Sequence, residues 1–191
     1  MQISSTEELT RKIDMITAGV YKYLNRQLRE EISKENSTTI ANYVLAQKTE
    51  VNLADTYRVN ILTTLITLSL SLKNKQFKNM IKDDIISYLD TNRKSEDLDP
   101  LHRWIGSYNE KRQRLVKFFR WLYNPNQQPT ARITPDFMKN IPKLKRKEIS
   151  IYKPTDLWRI EKRRVVTPLI CCTCEAEYYL IKQNIRFVRF V

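Results

Sequence analysis

Residues 99–125 read D-P-L-H-R-W-I-G-S-Y-N-E-K-R-Q-R-L-V-K-F-F-R-W-L-Y-N-P, and this stretch decides the fold. Its second half carries helix signals at both ends. Ser107 with Glu110 three residues on forms a capping box, each side chain answering a backbone N–H left over at a helix start. Asn124-Pro125 closes the other end, because proline disfavours the helical conformation in the residue before it. Tyr108, Leu115, Phe118, Phe119 and Leu122 share one face at the spacing of a buried stripe. Glu110, Gln113, Arg114, Lys117 and Arg120 occupy the opposite face, with Lys111 and Arg112 flanking the stripe. Such a helix is either an ordinary solvated surface helix or one laid along phosphates. The charge map separates the two.

The chain has 191 residues and a formal charge of +13. Residues 1–99 hold 14 basic and 14 acidic side chains, residues 100–164 hold 17 and 5, and residues 165–191 hold 3 and 2. The excess therefore begins with the stretch quoted above. A segregated basic excess is the footprint of a polyanion, usually nucleic acid. With 41% apolar residues the chain can bury a core, and only two glycines argue against an all-β sandwich. No apolar run approaches the ~20 residues of a membrane span, and the N-terminus lacks a signal pattern, so an intracellular, cytoplasmic protein is expected. Cys171, Cys172 and Cys174 are an odd set, which is no disulfide framework. As a zinc site they lack a fourth ligand and the usual paired spacing. No metal, cofactor or small-molecule substrate is expected.

Outward from the quoted stretch, the pattern predicts an all-α small bundle. Residues 1–35 read as a long amphipathic helix: Ser5 and Glu8 form a capping box, and Leu9, Ile13, Ile16, Val20, Leu24 and Leu28 recur up to about Ile32, with Gly19 as the weak spot. That stripe either docks on its own domain or pairs with a second copy as a homo-oligomer. Asn36–Thr39 reads as a hinge, and residues 36–125 as the main helical domain. A short helix carries Ile40, Tyr43, Val44 and Ala46. A central helix opens at Asn52 and Asp55 and runs to about Leu72. A short helix with Asp83 and Asp84 in its first turn follows, where the dipole favours carboxylates. Asp99-Pro100 reads as an N-cap with proline at the first helical position. His102 reads as a capping or packing residue. Residues 126–164 look like a basic extended linker, with one helical turn in Pro135–Ile141 and the run Lys143–Lys147. Residues 165–191 are an irregular tail, β-prone at Val165–Leu169 and Ile185–Val191, whose composition fits an aberrant remnant outside the cooperative core.

Two strings carry a family likeness. The D-P-L-H-R-W-I-G-S-Y-N stretch and K-R-K-E-I-S-I-Y-K-P-T-D-L-W, with a central helix holding Thr56-Tyr57 and a last helix holding Phe118-Phe119 and Trp121-Leu122, resemble the core-binding domain of tyrosine recombinases of the phage-integrase type, in its archaeal branch. The likeness runs from about Thr38 to Trp158. It implies a module that covers one face of double-stranded DNA with the central and last helices over the major groove. The expected DNA-facing residues are Thr56, Arg58, Asn109, Lys111, Arg112, Arg114, Lys117, Lys145, Arg146 and Lys147. Asn109 and Arg112 are the base-reading candidates. In that family the nucleophilic tyrosine, the arginines and the H-x-x-R motif lie in a domain after the linker. Here the one histidine, His102, precedes the linker with Ile105 at the arginine position, so no catalytic residue carries over and no enzyme activity is expected. The competing expectation is a helical protein–protein adaptor acting through the N-terminal helix.

Overall fold

The computed structural model describes residues 5–145 apart from 52 and 100, together with the backbone of 168–170 and 177–179. The chain divides into two compact units, residues 1–147 and 148–191. The first is a bundle of helices: α1 Ser5–Thr17, α2 Lys22–Arg26 widening into a π-helical turn Gln27–Glu31, α3 Lys34–Val51, α4 Asp55–Ser71, α5 Lys82–Asp90, α6 Trp104–Tyr123 and the single turn α7 Asp136–Lys139. In the second unit Pro168–Ile170 pairs antiparallel with Glu177–Tyr179, Leu169 lying opposite Tyr178. The cysteine cluster and Ile185–Val191 lie outside the described residues, as do Asn52, Pro100 and the side chain of Ser5.

The all-α bundle agrees with the sequence reading, but its first element does not. The expected long helix is broken at Gly19, whose φ of +72° places it in the left-handed region that side chains disfavour. Thr17 donates to the Ile13 carbonyl at 2.7 Å and Val20 N–H to the Thr17 carbonyl at 3.1 Å, closing α1. The break folds the stripe back on itself, so that Ile13, Ile16, Leu24 and Leu28 are all buried, with α1 against α3. The stripe docks on its own bundle.

The expected hinge at 36–39 is also corrected, since α3 runs straight through it. Each polar side chain there has found a partner. Asn36 reaches Ser69 and the 74–77 turn, Ser37 donates to the Leu28 carbonyl at 2.6 Å, and Thr38 and Thr39 bond back to the carbonyls of Lys34 and Glu35. Short polar side chains in mid-helix are tolerated when they are satisfied in this way.

α6 is the bundle's aromatic spine. Phe118 is fully buried, with ring centroids 5.2 Å from Tyr43, 4.9 Å from Phe77 and 5.1 Å from Phe119. Burying one such ring stabilises by roughly 1.5–3 kcal/mol. The helix begins earlier than its expected cap. The Asp99 carboxylate accepts the Trp104 N–H at 3.0 Å, and His102, at φ +46°, turns the chain between them. Ser107 is thereby the fourth residue of α6, exposed rather than capping. α5 opens as expected, the Asp84 carboxylate accepting the Ile81 N–H at 2.9 Å.

Candidate nucleic-acid interface

The basic face of α6 does more in the fold than its charge suggests. Three side chains of α6 and its C-cap residue, Asn124, clamp the returning chain by hydrogen bonds to backbone. Asn124 donates to the Ile133 carbonyl at 3.0 Å, and Arg120 to the Arg132 carbonyl through both Nε and Nη2. Arg112 Nε donates to the Ile141 carbonyl at 2.8 Å. Asn109 makes a two-way contact with Leu144, donating to its carbonyl at 2.8 Å and accepting its N–H at 3.0 Å. Residues 132–144 thus run antiparallel to α6 over about 17 Å, taking 1.5 Å per helical residue. Met138 and Ile141 are fully buried and Phe137 packs edge-on to Phe119 at 5.2 Å. The stretch read as the start of a free linker is part of the bundle.

The clamp revises several expected contacts. Asn109, expected to read a base edge, has both functions of its amide occupied by Leu144. Arg112 keeps its charge but holds Ile141. Arg58 is turned inward at 7% exposure, its guanidinium donating to the Ala18 carbonyl at 2.6 Å and pairing with Asp55 at 3.0 Å. It faces inward because the first turn of α4 abuts the α1–α2 turn. Lys111 donates to Asn92 at 2.6 Å and lies 5.6 Å over the Tyr88 ring, and its pKa is lowered by burial and then by the charge of Arg114. Arg114 pairs with Glu110 at 3.1 Å. Thr56 is exposed at the start of α4. Next to it, the Tyr57 hydroxyl meets Lys117 Nζ at 3.3 Å, with that cation 5.4 Å over the ring. Since Tyr88 ties to Thr67 on α4 and lies under Lys111 on α6, the two helices are antiparallel, with their N-termini at opposite ends. Lys145 is exposed, while Arg146 and Lys147 lie outside the described residues.

A hydrogen bond to a carbonyl orients a cation without neutralising it, whereas a carboxylate does both. Residues 101–145 hold ten basic side chains and two acidic ones. Among the described residues, only Arg114, Arg132 and Lys139 of the ten have a carboxylate within ion-pair distance. Arg103, Lys111, Arg112, Lys117, Arg120, Lys143 and Lys145 do not, and Arg103, Lys117, Lys143 and Lys145 are exposed. The clamp, through Leu144, sets Lys143 and Lys145 beside the N-terminal half of α6, so these two lysines and the helix form one positive surface. Sequence reasoning found the charge but not the clamp, whose partners lie 9 to 35 residues apart and leave no periodic trace. Among the described residues no helix is long and apolar enough to cross a membrane, and no group of acidic, histidine or cysteine side chains is placed to hold a metal. Comparison with protein-family models, curated proteins and solved structures finds no match to this chain.

Proposed function

We propose that the helical unit binds double-stranded DNA, as the non-catalytic DNA-binding part of a site-specific recombinase of the integrase type. The observation that carries this reading is the segregated charge: seventeen basic against five acidic residues in 100–164, in a chain whose first 99 residues balance. The resemblance of the quoted stretch and of the K-R-K-E run supplies the recombinase context. An adaptor acting through the N-terminal region would have to use its exposed side chains, Met15, Tyr21 and Tyr23, because Ile13, Ile16, Leu24 and Leu28 face the bundle's own core.

The test is the salt dependence of duplex binding, in which each neutralised phosphate contributes about −0.9 to the slope of log affinity against log salt. Changing Lys143 and Lys145 together to alanine should flatten the slope by about two units. Changing Arg114 and Lys117 should flatten it by about one, since Arg114 is already paired with Glu110. Unchanged slopes in both double variants, or no duplex binding by the native chain, overturn the reading.

Asn109→Ala gives a separate outcome. A residue reading a base costs roughly 1–3 kcal/mol on a preferred site alone. A residue holding Leu144 loosens the basic run and weakens binding to every sequence alike. The uniform loss is expected, and a loss confined to one sequence in a panel of duplexes would show that Asn109 leaves Leu144 to read DNA.

A further inference from the structure

The α1–α2 turn carries cations that its neighbouring acids do not reach. Residues 7–31 balance at five basic and five acidic side chains, and Lys12 pairs with Glu8 at 2.8 Å. Asp14 is engaged by Arg29 at 2.5 Å and by Asn25 at 3.0 Å. Lys22 and Arg26 stand one turn apart on α2, exposed and without a side-chain partner among the described residues. Between and before them are two aromatic rings. Tyr21 is 63% exposed and Tyr23 47%, stacked on each other with centroids 5.6 Å apart and planes 22° from parallel.

This pair is held in place. Gly19 turns the chain, Tyr21 follows in an extended conformation at the start of α2, and Arg58 ties the Ala18 carbonyl to the first turn of α4. The same guanidinium pairs with Asp55, offsetting the one acid on the wall of the shallow groove that Gly19, Val20 and Tyr21 share with Asp55, Thr56 and Val59. Stacked rings open to solvent beside uncompensated cations are what unpaired nucleotides require: a π-face for the base and positive charge for the phosphate. A duplex closes its base faces against each other and offers a tyrosine nothing to stack on.

We propose that the α1–α2 turn is a platform for single-stranded DNA, with bases stacking on Tyr21 and Tyr23 and flanking phosphates at Lys22 and Arg26. This rests on the DNA-binding reading above and deepens it. The test measures binding of the full chain to a labelled oligothymidylate of about 15 nucleotides and to a duplex, at low salt. Tyr21→Ala/Tyr23→Ala should lose about ten-fold or more in oligothymidylate affinity with duplex affinity within about two-fold, stacking being sequence-tolerant and ring-dependent. Tyr21→Phe/Tyr23→Phe should bind as the native chain does, because the ring is kept. Both side chains are exposed, so matching thermal melts establish that the variants fold. An unchanged oligothymidylate affinity, a parallel loss for duplex, or Phe behaving like Ala overturns the platform. So does a native dimer in sedimentation that the alanine variant dissolves without loss of oligothymidylate binding, which would make the tyrosines a protein interface. Native binding to duplex but not to oligothymidylate sinks the platform alone, and binding to neither sinks the DNA reading with it.

Discussion

Replacing Arg132 by alanine should lower the unfolding free energy by about 3 kcal/mol, the lower end of the cost of stripping one partner from a buried ion pair. The lower end applies because the Glu50 side chain keeps 21% of its exposure while that of Arg132 keeps 6%. The guanidinium meets Glu50 in a fork, Nη1 to Oε2 at 2.9 Å and Nη2 to Oε1 at 2.5 Å, and its Nε donates to the Gln127 carbonyl at 3.1 Å. The backbone carbonyl of the same residue takes both bonds from Arg120. One residue therefore joins α3, the loop after α6 and α6 itself. Lysine cannot reproduce the two-pronged geometry, so Arg132→Lys should recover less than half of the loss. Denaturant melts of the two variants check this. A loss under about 1 kcal/mol for Arg132→Ala would mean that apolar packing and the backbone clamp hold residues 126–145 to the bundle without help from this ion pair.

What the sequence disclosed and what it hid divide along the range of the interactions. Stripes at the 3 and 4 spacing are local, and they located α4, α5 and α6 within a few residues. Gly19 was legible as a weak point because glycine is a backbone property. Its effect was not, because only the packing of Ile13 and Leu28 into one core decides that the helix folds back there. Two capping motifs competed for the start of α6, Asp99 and Ser107. The turn at His102, with its left-handed backbone, let Asp99 reach Trp104 and leave Ser107 inside the helix. The candidate site was legible as charge and illegible as geometry. Arg58 and Arg112 look alike in sequence to Lys117 and Lys145, yet the first two hold backbone carbonyls while the last two face solvent. Nothing in the local pattern separates a cation that builds the fold from one that is offered to a ligand.

Asn36→Ala should be as damaging as the loss of Arg132, at about 3 kcal/mol, although a polar residue in Asn36–Thr39 reads as part of a hinge. Asn36 is 1% exposed. Its amide nitrogen donates to Ser69 Oγ at 2.8 Å and to the Lys75 carbonyl at 3.0 Å, and its oxygen accepts the Phe77 N–H at 3.4 Å. Alanine leaves these three groups without that partner in the interior, at roughly 1–3 kcal/mol for each one that water cannot reach. They belong to the turn that delivers Phe77 to Phe118, so the loss extends into the aromatic spine. Asn36→Asp separates hydrogen bonding from shape. It keeps the volume but points a carboxylate oxygen at the Lys75 carbonyl, and burial together with that carbonyl raises its pKa in the folded state. Its proton is then bound more tightly in the folded than in the unfolded chain. The variant should be closest to native stability in acid and lose stability as pH rises through the folded-state pKa. Denaturant melts across pH read this directly. A stability difference between Asn36→Asp and the native chain that does not grow with pH would show that the network tolerates a charge, and that Asn36 acts through packing.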